Sequence, residues 1–261
     1  MTSLLAYTKF VVGGYGSADM KTEVAVFDRA TGVEKVLTSG GVSVNSVWSP
    51  DGTTIAFSDL VGDSLSLMTR DGSNARVVAR PSGLADDLHW SDLAWSRDNW
   101  IYFVVAQNVG GCFKTRIDRI RPDGTARTQI TDGGPSCTPP GLEQSGDADP
   151  GISPDGLTIY SSRGLPRNVP GAGPGQAVRH LYRIDATPWL PGKPETDISA
   201  TTRDACVAGV PKVSPDNALI AFFQFCADDP AHVGVMLTDL KGSTYRFLFP
   251  GFGPDWDPVA L

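Results

Sequence analysis

Val47-Trp48-Ser49-Pro50-Asp51-Gly52-Thr53-Thr54-Ile55-Ala56-Phe57-Ser58 reads as an apolar strand, a tight turn and a second apolar strand. Pro50 presets φ for the turn, Asp51 can bond its own backbone, and Gly52 accepts positive φ without a Cβ penalty. β-branched and aromatic residues take over on both sides, which marks a hairpin. The stretch decides the fold because it recurs. Ser96-Arg97-Asp98-Asn99 precedes Trp100-Ile101-Tyr102-Phe103, and Ser153-Pro154-Asp155-Gly156 precedes Leu157-Thr158-Ile159-Tyr160. Ser214-Pro215-Asp216-Asn217 precedes Ala218-Leu219-Ile220-Ala221-Phe222. Repeats at a period of roughly 40–50 residues mean a propeller or a solenoid.

Each turn is followed by a second pair of strand signals. Strand c is expected at 64–69, 116–121, 180–185 and 233–238, and strand d at 75–78, 127–131, 195–198 and 244–249. Asp71-Gly72, Asp123-Gly124 and Asp239-Leu240-Lys241-Gly242 supply most of the turns between them. Every unit is thus a, turn, b, c, turn, d, which is one propeller blade. The Gly/Pro-rich stretch 164–175 has no apolar period and reads as a loop between strands b and c of the fourth blade.

The two ends complement each other. Leu4–Val12 looks like strand b without its strand a, and 23–28 and 34–38 follow as strands c and d. Asp255-Trp256-Asp257-Pro258-Val259-Ala260-Leu261 looks like strand a without its strand b. The expectation is a single all-β propeller domain over 1–261. Its blades lie at about 42–80, 86–133, 147–199 and 205–250, with a fifth blade composed of 1–38 plus 255–261. The alternative is a fragment of a longer propeller whose ends happen to match.

The Trp-Ser-Pro-Asp-Gly turn followed by Ile-Ala-Phe, and the Leu67-Met68-Thr69-Arg70-Asp71-Gly72 ending of strand c, resemble the repeats of TolB-like β-propellers, the WD40-like PD40 family. Asp147-x-x-Pro150-x-Ile152-Ser153-Pro154-Asp155-Gly156 and Asp255-x-x-Pro258 match the longer form of that repeat. The likeness covers nearly the whole chain. It implies a cell-envelope or secreted setting and a protein partner. TolB itself has six blades and a separate N-terminal domain, so its particular partners do not transfer.

Composition narrows the function classes. A formal charge of −7 and a pI near 4.9 argue against nucleic acid or an anionic membrane as partner. No apolar run approaches the roughly 20 residues of a membrane span. The first residues lack the basic and apolar regions of a signal peptide. Asp216 stands midway between Cys206 and Cys226, so an antiparallel hairpin sets the two cysteines opposite each other, within bridging reach. Cys112, just after strand b of the third blade, and Cys137, just after its strand d, fall on one loop face and form the second expected pair. Two such pairs favour an oxidising compartment, periplasmic or extracellular, against four free thiols in a cytosolic protein.

No catalytic set emerges. Gly62-Asp63-Ser64-Leu65 spells an esterase box, but Ser64 opens a strand and no helix follows. His89, His180 and His232 occupy unrelated positions, which speaks against zinc. Gly13-Gly14-Tyr15-Gly16 lacks the context of a phosphate loop. The acidic residues at strand a are the best candidates: Asp86, Asp87, Asp92, Asp147, Asp149, Asp204, Asp255 and Asp257, with Trp90 and Trp256 nearby. Strand a is the innermost strand, so these carboxylates gather at one mouth of the channel. They would either bind a polar ligand or a Ca²⁺ or Mg²⁺ ion, or lock blade to blade through backbone N–H groups. The structural role is the preferred one, and no cofactor is expected. The expected function is a non-enzymatic binding or scaffold module presenting its bc and da loop face to a protein. The alternative is a carbohydrate-binding or glycoside-processing propeller using those carboxylates and tryptophans; polysaccharide is its ligand.

Overall fold

The computed structural model describes residues 4–12, 19–28, 30–59, 64–80, 86–88, 93–109, 112–133, 145–168, 177–199, 206–226 and 233–250. All its regular elements are strands, and they fall into five successive meander units. The first holds β1 (Leu4–Val12), β2 (Lys21–Asp28) and β3 (Glu34–Val36). The second holds β4 (Ser43–Trp48), β5 (Thr54–Asp59), β6 (Ser64–Thr69) and β7 (Arg76–Ala79). In the third, strand a is split into β8 (Asp86–Leu88) and β9 (Ala94–Trp95), followed by β10 (Ile101–Val109), β11 (Cys112–Ile120) and β12 (Thr128–Gln129). The fourth is β13 (Ser145–Ile152), β14 (Thr158–Asn168), β15 (Ala177–Asp185) and β16 (Glu195–Asp197). The last is β17 (Cys206–Val213), β18 (Leu219–Cys226), β19 (Gly234–Asp239) and β20 (Tyr245–Phe249).

Pairing within each unit is antiparallel and sequential. Between units the chain runs briefly parallel to strand c of the unit before it. Thr22 bridges Val42, Thr115 pairs with Gly146, and Arg179 pairs with Val207. The last two of these join the third to fifth units into one curled sheet. No helix among the described residues is long and apolar enough to cross a membrane.

The core is not central. It lies in layers between neighbouring units. Val24, Ile55, Phe57 and Met68 fill the first junction, and Leu67, Trp95, Ile101 and Phe103 the second. Tyr102, Val104, Ile117 and Ile159 fill the third, and Tyr160, Leu181, Ile220 and Phe222 the fourth. In β2, β5, β6 and β10 both faces are therefore largely buried. That is why Ile101 to Ala106 is a continuous buried run instead of an alternating one. Trp95 packs inside its junction and Trp48 against the first, the inter-unit role their shared repeat position implies.

The recurring turn is a small hydrogen-bonded cage. Ser49 Oγ donates to Asp51 Oδ1 at 2.6 Å and accepts from Thr54 N at 3.0 Å, while Thr53 N donates to Asp51 Oδ1 at 3.0 Å. The same serine–aspartate bond is 2.5 Å long at Ser96–Asp98, Ser153–Asp155 and Ser214–Asp216. The serine hydroxyl thus mimics a backbone group and closes the hairpin, which explains why Ser and Asp recur together. These bonds hold the carboxyls of Asp51, Asp155 and Asp216 below their ordinary range, with the serine donor the largest cause in each. Asp71 and Asp123 are lowered in the same way by Thr69 and Thr125. Folding therefore favours the deprotonated forms. The contribution is present above the unfolded aspartate pKa of about 3.9 and is lost as pH falls further. Melting temperatures in low salt should be flat between about pH 7 and pH 5 and drop below about pH 4. A midpoint that holds to about pH 2.5 would contradict the cage's role.

The second turn explains its glycines by close approach. A Cβ on Gly242, at φ 69°, would sit 1.8 Å from Ile198 O of the preceding unit. Gly72, at φ 88°, meets Leu37 O at 2.9 Å in the same manner. Each such turn is wedged against strand d of its predecessor, where only glycine fits.

Three sequence expectations change. β14 continues through Asn168, so 164–168 belong to a strand, and the rest of the expected loop lies outside the described residues. Cys112 follows strand b as expected but does not sit in a connecting loop. β10 runs on to Val109, so Cys112 opens β11 directly opposite it. Strand a of the third unit is split in two, and Asp86 and Asp87 lie within its first piece. Cys137 lies outside the described residues, and so does the expected pairing of 255–261 with β1. Cys206 and Cys226 are bonded, with Cα atoms 4.4 Å apart across β17 and β18. Loop-closure entropy gives this bridge about 3 kcal/mol. Unfolding in urea with and without a reductant should differ by that amount, and equal midpoints would remove the bridge from the stability account.

Candidate functional site at the inner strands

Each complete inner strand carries the same kink. Asn45, Asp149 and Val210 have φ of 53°, 50° and 52°, inside bulges at Val44/Val47, Ala148/Gly151 and Gly209/Lys212. A bulge inserts one residue and turns the strand, the usual device where a sheet bends at a rim or a site. The kinked segments touch: a Cβ on Gly151 would lie 2.3 Å from Pro211 O of the next unit. In two of the three the kinked residue is followed by a proline, Pro150 and Pro211.

Asp147 precedes the kink by two residues and is fully buried. Arg163, directly opposite on β14, meets it with both arms, Nε to Oδ1 at 2.6 Å and Nη2 to Oδ2 at 2.9 Å. Ser161 Oγ adds a bond at 3.3 Å, and the third guanidinium nitrogen reaches Glu195. The Tyr182 ring lies 4.3 Å from the guanidinium carbon. Burial works against the charge on Arg163, but Asp147 and Glu195 outweigh it and raise its pKa above the ordinary value. This is a bidentate, desolvated ion pair.

Asp149 extends towards the fifth unit, with Oδ2 placed 3.3 Å from where a Cβ on Gly209 would stand. Arg179 Nε donates to Ser162 Oγ at 2.7 Å, and Ser162 Oγ donates to Ala208 O at 2.8 Å. Burial lowers the Arg179 pKa, opposed by the charges of Asp149 and Asp147. The side chains thus tie the fourth unit to the fifth. On the other face His180 is buried, with Nδ1 2.6 Å from Asp197 Oδ2 and, among the described residues, no hydrogen-bond partner for Nε2.

Among the expected site residues, then, Asp147 and Asp149 come together in one network. Asp87 lies in β8 opposite Ala106. Asp92, Asp204, Asp255, Asp257, Trp90 and Trp256 lie outside the described residues. No group of three or more His, Cys, Asp or Glu side chains that could hold a metal ion occurs among the described residues. Sequence reading missed Arg163, Arg179 and Glu195. The signal for Arg163 is register, a cation on strand b directly across from the inner aspartate; Arg179 and Glu195 carry none.

At the opposite, turn-bearing end two grooves separate the early units. One of about 780 Å³ lies between the first and second, edged by Asp28, Asp51, Asp71, Lys35 and Arg70. Asp51 and Asp71 there are held within their own turns.

No protein-family model and no curated protein matches the sequence. The fold has many solved counterparts. A putative TolB from Agrobacterium tumefaciens is 21% identical with a TM-score of 0.62, over 90% of this chain and 78% of that one. TolB from Acinetobacter baumannii is 15% identical with a TM-score of 0.65, over 95% of this chain; the match spans 53% of that longer protein. An oligogalacturonate lyase from Vibrio parahaemolyticus is 13% identical with a TM-score of 0.57, over 91% of this chain and 63% of its own. The chain has the fold of a TolB-like β-propeller, as the repeats implied.

Proposed function

We propose that this TolB-like propeller is a non-enzymatic binding or scaffold module that presents its bc and da loop face to a protein partner in the cell envelope or outside the cell. The observation that carries this reading is the use of the inner carboxylates. Asp147 is spent on Arg163, and Asp149 faces Gly209 and lies close enough to Arg179 to act on its charge. The Asp147–Arg163 pair holds the fourth blade's own strands together, and the Arg179–Ser162–Ala208 bonds tie that blade to the next, which leaves recognition to the loops, where propellers vary most freely. The Cys206–Cys226 bridge supports an oxidising compartment. The ring itself is taken to have five blades, closed by 255–261 against β1. Cross-linking and pull-down from a native envelope extract, followed by reconstitution with the purified partner, tests the proposal. A stoichiometric complex lost on altering a bc or da loop supports it.

A second reading is favoured by the likeness to an oligogalacturonate lyase. In it Asp87, Asp92, Asp204, Asp255 and Asp257, with Trp90 and Trp256, bind a polysaccharide at the channel mouth, with or without a Ca²⁺ or Mg²⁺ ion. A glycan array and a lyase and hydrolase screen separate the two. Sugar binding lost in Trp256→Ala would overturn the first reading.

A further inference from the structure

The connection between strands c and d of the fourth unit is unlike the others. The other units turn there on short Asp/Gly segments. Residues 186–194 instead carry Pro188, Pro191 and Pro194, with Gly192 at φ 80°. This loop is pinned to its neighbours. Ala186 N donates to Leu157 O at 2.9 Å, and Trp189 N to Gln129 O of the third unit at 2.9 Å. Lys193 Nζ reaches Ile130 O at 3.0 Å and Thr187 O at 2.6 Å.

A loop so anchored could have turned its apolar side chains inward, yet Leu190 is 69% exposed. Leu157, joined to the loop through Ala186, is also 69% exposed, and these two are the most exposed large apolar side chains among the described residues. On the facing edge of the third unit, Arg119 and Arg121 stack on Trp100, 4.2 Å and 3.6 Å from its ring centroid. Arg119 Nη1 donates to Ala186 O at 2.8 Å, and Arg121 Nη1 to Asp98 O at 2.6 Å. These bonds run to main-chain carbonyls. The nearby carboxylates of Asp98, Asp123 and Asp155 accept from their own turns.

We propose that this edge of the third and fourth units is a contact surface for an acidic, apolar-rich segment of a protein partner. It lies at the ab and cd turn end, opposite the loop face discussed above, and stands or falls separately from it. Single exposed leucines are ordinary. One on a proline-stiffened loop and one on the turn bonded to it, beside a Trp and two guanidiniums, are not. Trp and Arg dominate interface energetics, and guanidiniums pair strongly with carboxylates. A platform already held in place spends little ordering entropy on binding.

The test is fluorescence anisotropy of the full chain with three sets of short peptides alternating Leu or Phe with Glu, Ser or Lys. The Glu set should bind tightest and weaken as salt rises. Its affinity should fall by about tenfold or more in Leu157→Ser/Leu190→Ser and in Arg121→Gln. Both variants should melt like the wild type, which separates lost contact from lost fold. No binding by any set, equal affinity for the Lys and Glu sets, or full affinity in the leucine variant would each overturn the proposal.

Discussion

Asp147→Ala is expected to cost about 3–5 kcal/mol of stability, the usual effect of leaving one partner of a buried ion pair uncompensated. The side chains of Asp147 and Arg163 are 0% and 4% exposed, so water cannot take over the lost role. Glu195 still faces Arg163, but with one contact where Asp147 made two. Urea unfolding should show the midpoint moving with the slope unchanged. The double variant Asp147→Leu/Arg163→Met should recover most of the loss, because a buried pair and a well-packed apolar pair are often of similar worth. A single variant within about 0.5 kcal/mol of wild type would mean that the network is not structural, and the inner aspartate would return as a candidate for binding.

Removing 255–261 is expected to cost several kcal/mol, a large share of the roughly 5–15 kcal/mol by which proteins are stable. Among the described residues β1 pairs only with β2, and its other edge is bare. Leu5, Phe10, Val11 and Val12 are each more than 40% exposed along it. A long apolar edge of this kind invites pairing with another chain. If the last seven residues cover it, the shortened chain should melt earlier and self-associate. Thermal melts and light scattering of the full chain and of one ending at Pro254 check this. An unchanged midpoint with a monomeric product would contradict ring closure.

The fold was legible because each unit repeats its punctuation. Ser49, Asp51 and Gly52 identify the ab turn, and their bonds recur around Asp98, Asp155 and Asp216. The Cys206–Cys226 bridge was readable from symmetry about Asp216 alone. Strand length was less legible. β14 continues through Gly164, Leu165 and Pro166 because pairing with β15 resumes at Asn168 and Ala177, which local propensity does not reveal. The inner network was half legible. Asp147 and Asp149 stood out by their repeat position, but their partners Arg163 and Arg179 look like ordinary strand cations until register sets Arg163 opposite Asp147. The hydroxyls that cap strand c were also hidden. Thr38, Thr131 and Ser199 accept from Val24 N, Ile117 N and Leu181 N, and they stand at one repeat position that only the aligned units disclose.

The repeat also fixes how the ends should meet. Ile152 pairs with Ile159 and Val213 with Ile220, just before each turn. Aligning Asp255-x-x-Pro258 with Asp147-x-x-Pro150 carries that pair to Ala260 and Leu5. The most direct measurement is therefore a Leu5→Cys/Ala260→Cys variant, oxidised under dilute conditions and mapped by non-reducing peptide mass spectrometry. A five-blade ring closed by its own ends predicts a monomer with an intramolecular bridge between the two introduced thiols and a raised melting temperature. If the introduced thiols stay free, or bridge only between molecules, the ends do not meet and the chain forms part of a larger propeller.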